Sequence, residues 1–133
     1  MSVIYGTGEC FNDAIEIITE LVKINQKLAY TDQLILVHGL GINSSGEVFS
    51  HAWVEYKGLA IWRGLLDGEI LEFGTPIKEY RQKWQISRTT RYNVRELVRE
   101  NLRSGHFGPW EEIYDKHTRQ GKREGEKNLQ DNS

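Results

Sequence analysis

The order of sequence signals predicts an α+β protein, with an N-terminal helix packed on an antiparallel β-meander and additional helices toward the C-terminus. Three observations carry that expectation. Apolar residues Ala14, Ile17, Ile18, Leu21, Ile24 and Leu28 recur at spacings of three and four, the period of a helix with one buried face. Four strand-length runs follow between residues 34 and 73, separated by Asn-Ser-Ser-Gly, Lys-Gly and Asp-Gly turn signals. Helix-start signals then return at Thr75-Pro76 and at Asn93.

Taken in order, the first helix spans about Asn12 to Leu28 and is announced by Gly6-Thr7-Gly8-Glu9, glycine-rich with an acid near the first turn. Cys10 therefore falls at or just inside its start. Leu34 to His38 reads as a short strand, Glu47 to Tyr56 as a longer one, and Leu59 to Trp62 as its return after Lys57-Gly58. Ile70 to Phe73 follows the Asp67-Gly68 turn. Thr75 as cap and Pro76 at the first helical position predict a helix running to about Trp84. Gln85 to Tyr92 holds β-branched and aromatic residues and predicts a last strand. Asn93 with Glu96 three residues later has capping-box spacing ahead of Leu97, Val98 and Leu102, and Gly105 is placed to end that helix. Pro109 to Tyr114 reads as a final short helix.

The 133 residues suit one domain, assigned to 1–116, followed by a polar tail over 117–133. From Thr118 onward the only aliphatic residue is Leu129, a composition that does not offset its ordering entropy and predicts disorder. No run approaches the ~18 apolar residues of a membrane span, and the first residues lack a basic segment followed by an apolar one. The expectation is a cytoplasmic protein with no membrane partner. A net charge of −2 supplies no basic field for phosphates, so no nucleic-acid partner is expected. The arginines between Arg81 and Arg103 are interleaved with Glu and apolar residues, as on solvated helix faces.

Cys10 is the single cysteine. It makes no intramolecular disulfide and no zinc ribbon. A lone cysteine is most often a small buried hydrophobe; a helix start is what singles this one out. The macrodipole and unpaired amides of a first turn favour a negative sulfur, so a lowered thiol pKa is expected, with Glu9 opposing it. Those amides also suit an oxyanion on a carbonyl under attack. The partner expected is His51, on the strand Val48-Phe49-Ser50-His51-Ala52-Trp53-Val54-Glu55-Tyr56, where Phe49, His51, Trp53 and Glu55 share a face. A metal site built from Cys10, His51 and His38 lacks the short-spaced ligand pair that zinc sites show, and no cofactor is expected.

Cys10-Phe11-Asn12-Asp13-Ala14 at a helix start, followed 41 residues later by His51-Ala52-Trp53-Val54-Glu55, resembles the transglutaminase-like branch of the papain-like cysteine hydrolase superfamily. It is also similar to small bacterial and phage proteins that pair such a cysteine helix with His-Ala-Trp. The likeness covers roughly residues 5 to 73. It implies a papain-like core and cysteine acyl-transfer chemistry on a peptide or other amide-containing substrate, with Cys10 attacking the carbonyl and His51 taking and returning the proton.

The resemblance also implies a third residue that orients the imidazole. Glu55 lies about 13 Å along the same strand at ~3.3 Å per residue, out of reach of the His51 ring, and suits a structural hydrogen bond. Asp67 follows His51 by 16 residues, a separation seen in transglutaminase-like proteins. With Lys57-Gly58 as a two-residue loop, Asp67 opposes Val48 and points to the other face; a bulge near Gly64 corrects that parity. The alternatives are a Cys–His dyad oriented by a backbone carbonyl or by Asn12. A papain-type Gln ahead of the cysteine is missing. The other functional class is a catalytically inactive domain that serves as a protein-binding module. Phe107-Gly108-Pro109-Trp110 has a composition suited to a lid over the site.

Overall fold

The computed structural model describes residues 3–118. Strand β1 (Val3–Ile4) leads into helix α1 (Cys10–Ile24) and a 3-10 turn (Gln26–Tyr30). Strands β2 (Ile35–Ile42), β3 (Val48–Tyr56), β4 (Leu59–Leu66) and β5 (Glu69–Pro76) follow, then helix α2 (Ile77–Lys83), strand β6 (Arg88–Tyr92) and helix α3 (Val94–Ser104). Residues 112–118 are also helical, so His117 and Thr118 belong to that helix rather than to the polar tail; the rest of the expected tail, 119–133, lies outside the described residues. The architecture is α+β, with an N-terminal helix, an antiparallel sheet and further helices. Among the described residues, no helix is long and apolar enough to cross a membrane.

The six strands lie in the order β1-β4-β3-β2-β6, with β5 on the other side of β4, and every pair is antiparallel. Both short hairpins form as their sequences require. Lys57 and Gly58 have φ of 51° and 78°, and Asp67 and Gly68 have φ of 51° and 85°, the all-positive pattern of a two-residue turn matched to strand twist. These turns fix Tyr56 opposite Leu59 and Leu66 opposite Glu69.

The sheet buries both faces. On one, Phe11, Ala14, Ile17 and Ile18 of α1 and Leu97 of α3 pack on Leu36, Ala52, Val54 and Tyr92. Each fully buried aliphatic side chain there contributes about 1.5–3 kcal/mol. On the other, Tyr80 of α2 packs with Ile35, Val37, Trp53, Ala60 and Trp62. Gly39 of β2 makes room for that second layer: a Cβ there would stand 2.8 Å from the Trp53 ring. Arg63 of β4, its side chain only 12% exposed, reaches Asp13, Glu16 and Glu20 of α1 and Glu72 of β5, and so ties the helix to the sheet.

Strands β2 and β4 run four residues past the expected ends at His38 and Trp62, and β6 starts at Arg88 rather than Gln85; three other boundaries differ from expectation for local reasons. Helix α1 stops at Ile24 instead of about Leu28, because Asn25 is extended and its side chain accepts the Lys27 amide. Strand β5 runs through Thr75-Pro76, and α2 starts only at Ile77 with no side-chain cap. The Thr75 hydroxyl accepts from Trp62 Nε1 at 3.0 Å, so it serves the sheet rather than the helix. The last helix begins at residue 112 rather than 109. Helix α3 keeps its capping box at Asn93 and Glu96, and Gly105 closes it with φ 79°.

Candidate active site

The site depends on an interruption in the sheet. Strands β3 and β4 pair only through Tyr56↔Leu59, Glu55↔Ala60 and Val54↔Ile61; farther along, β4 takes β1 as its partner at Leu65 and Leu66. Among the described residues, the edge of β3 around His51 and Ala52 is therefore left without a β neighbour on that side, and the start of α1 fills the gap. Cys10 is the first residue of α1, and the Ala52 amide faces its sulfur closely enough to favour the thiolate. That amide is an edge N–H that a continuous β3–β4 ladder would have used.

His51 and Trp53 project to the face that packs on α2, whereas Ala52 and Val54 project toward α1. Cys10 thus meets the His51 side of the sheet through the gap, not across a helix–sheet interface. His51 is 6% exposed. Its ring lies among Phe49, Trp53, Tyr80 and Trp84, with centroids 5.0–5.8 Å away. Nε2 of His51 shares a hydrogen bond with the Tyr80 hydroxyl.

Burial dominates the electrostatics. The Cys10 thiol is pushed up to about 11 by burial, with a further rise from the Asp13 charge. The amides of Ala52, Phe11 and Cys10 itself pull it down but do not win. The lowered pKa expected from the helix start alone is thus reversed: dehydration of the sulfur outweighs the first-turn amides. The His51 imidazole is lowered to about 4 by burial, and the Tyr80 phenol is raised well above 10 by burial and by the Cys10 charge. All three side chains are neutral at neutral pH.

Two spaces open on this cluster. A chamber of about 10 Å³ is lined by Cys10, His51, Ala52, Trp53, Trp62 and Tyr80, among others; that is room for a single water. Beside it lies an open cleft of about 420 Å³, walled by Tyr5, Cys10, Phe49, His51, Trp84 and His117 with their neighbours. Its size suits a small ligand or one or two residues of a peptide.

Asp67 is not brought to His51. It occupies the exposed β4–β5 turn with φ 51°, and the register from Leu59↔Pro76 to Leu66↔Glu69 is continuous through Gly64↔Leu71. The bulge that would have turned it inward is absent, and the group on Nε2 of His51 is Tyr80. Asn12, the other candidate orienter, donates its amide to Glu9 at 2.9 Å on the exposed side of α1. No spacing rule links position 80 to position 51, so Tyr80 has no sequence signal beyond lying on a short amphipathic helix.

Glu55 takes the structural part. Its carboxylate, 3% exposed, accepts from Trp53 Nε1 at 3.0 Å, from Arg81 at 2.9 and 3.2 Å and from Arg91 at 2.6 Å. It thereby anchors α2 and β6 on β3. The Phe107–Trp110 run does not line the cleft. Trp110 lies against His38 and Tyr92 at 5.1 and 5.0 Å, and His117 and Thr118 form that wall instead. His38 is fully buried among Phe11, Tyr92, Trp110 and Tyr114. Among the described residues, no group of three or more His, Cys, Asp or Glu side chains stands where it would hold a metal ion. No protein-family model, curated protein or solved structure matches the chain.

Proposed function

We propose that the protein is a cysteine-dependent hydrolase or acyl transferase acting on an amide bond of a peptide or similar substrate, on a papain-like, transglutaminase-like core. The observation that carries this reading is the place of Cys10 at the gap in the sheet, its sulfur facing the Ala52 amide and the residue lining, with His51, both the small chamber and the open cleft. In this reading the sulfur adds to the amide carbonyl while the thiol proton passes to His51. The imidazolium then protonates the leaving amine, and a thioester on Cys10 is released by water or by a second amine. The aromatic walls exclude water from the charge that develops.

The raised thiol favours one second reading, a catalytically inactive domain that binds a peptide in the same cleft. An activated ester separates the two. Full-length protein is mixed with p-nitrophenyl acetate and its intact mass followed. The hydrolase reading expects one acyl group on Cys10, none on Cys10→Ser, and much slower acylation of His51→Ala. Wild-type protein that gains no acyl group overturns it in favour of the binding module.

A further inference from the structure

A neutral imidazole carries one proton on two nitrogens. To take a proton from the Cys10 thiol, the nitrogen facing the sulfur must be unprotonated, so the ring proton must sit on the other. Nε2 of His51 is occupied by the Tyr80 hydroxyl; with His51 as the base, Nδ1 is by elimination the nitrogen that takes the thiol proton. A carboxylate on Nε2 would settle the tautomer, because an ionised carboxylate only accepts. A hydroxyl both donates and accepts, so its own placement has to settle the matter.

That placement is well determined. Tyr80 is 2% exposed. Its ring stacks on His51 with planes 22° apart and packs on Trp53 and Trp62 at 5.2 and 6.3 Å. The next residue, Arg81, is fixed to Glu55 of β3, the strand that carries His51. Helix α2 and His51 are thus referenced to one strand, and the hydroxyl meets Nε2 without a flexible link between them.

We propose that Tyr80 is the positioning residue of this site: its hydroxyl oxygen accepts the Nε2 proton of His51 and leaves Nδ1 as the unprotonated nitrogen for the thiol of Cys10. The inference rests on the reading of Cys10 as nucleophile and His51 as base. It also gives that reading a particular form. Tyr80 supplies orientation without charge, so it does not stabilise a resting thiolate–imidazolium pair. The S–H bond breaks and the Nδ1–H bond forms as the sulfur–carbon bond to the substrate carbonyl is made, with the carbonyl π electrons moving to oxygen.

The test is the tautomer of His51 in the full chain, read from ring-nitrogen shifts of ¹⁵N-histidine-labelled protein near neutral pH, with His51→Gln to assign the signals. The expected wild-type result is Nε2 protonated and Nδ1 bare. In Tyr80→Phe, which keeps the ring, the expected result is a mixed or reversed tautomer and alkylation of Cys10 by iodoacetamide slowed about tenfold, the loss of one well-placed proton acceptor. Wild-type protein with its proton on Nδ1 overturns the proposal. So does a Tyr80→Phe variant with an unchanged tautomer, or with a changed tautomer and an unchanged alkylation rate. If Tyr80→Phe does not fold, the wild-type tautomer alone decides. Failure of the hydrolase reading shows separately, as absence of acylation by the activated ester, and does not touch the tautomer.

Discussion

His38→Met should make the protein more stable, and should do so most in acid. His38 is 0% exposed, and neither ring nitrogen has a hydrogen-bond partner among the described residues. A buried polar atom without a partner costs about 1–3 kcal/mol. Methionine removes both nitrogens, fills irregular space and makes favourable sulfur contacts with aromatic rings, of which four surround this position. A gain of about 1–2 kcal/mol at neutral pH is expected after some loss of ring packing. The pH dependence follows from burial, which lowers the His38 imidazole from 6.5 to about 3. Between those values the unfolded chain binds a proton and the folded chain does not, so stability falls with acidification at about 1.4 kcal/mol per pH unit. His51, lowered to about 4, adds a second, equal slope. Wild-type protein should therefore lose about 5 kcal/mol over the two pH units below 6.5, and His38→Met about half of that. Urea unfolding of both proteins across this range measures the difference. A variant that is less stable at neutral pH and loses as much on acidification as wild type would refute the reasoning, because His38 would then be a satisfied residue.

Three further outcomes are expected. Glu55→Gln leaves Arg81 and Arg91 around a neutral amide; both guanidinium groups are partly exposed and can rehydrate, so the loss is about 2–4 kcal/mol, read as a fall of roughly 10 °C in melting temperature. Gly108→Ala places a Cβ 2.8 Å from His38 Cε1 at a backbone φ of 107° and should cost about 2 kcal/mol or more; in a His38→Ala background part of that cost disappears, as a double-mutant cycle in urea would show. Alkylation of Cys10 should keep accelerating as pH rises above 9 toward about 11, because burial withholds the thiolate; a plateau already below pH 8 would show that the first-turn amides prevail after all.

The parts of the fold that were legible in the sequence are those decided within a few residues. Lys57-Gly58 and Asp67-Gly68 specify their turns through a second-position glycine that takes positive φ freely, and the first turn then sets the register from Tyr56↔Leu59 onward. The Asn93–Glu96 capping box is likewise local. Thr75-Pro76 carries an equally local helix signal and misleads, because the indole of Trp62, on the next strand, takes the threonine hydroxyl. The candidate site divides the same way. The place of Cys10 at a helix start and of His51 on a strand can be read from periodicity. Asp67 had a suggestive separation from His51, but separation along the chain says nothing about a register that runs unbroken through Gly64. Tyr80 and the direction of the Cys10 shift depend on which helix covers which face of the sheet and on how dry the sulfur becomes. Both are tertiary facts with no local trace.

The interrupted pairing of β3 and β4 has a consequence for how such a site is kept or lost. Zipping the two strands together beyond Val54↔Ile61 would complete the ladder and stabilise the sheet, yet it would close the opening through which Cys10 reaches the His51 side. On the proposed reading, the fold holds a standing conflict between a better sheet and a reactive thiol, the local frustration expected where function overrides ideal structure. Substitutions that silence the site need not touch Cys10, His51 or Tyr80; any that favour longer β3–β4 pairing, or that detach β1 from β4, would seal it from a distance.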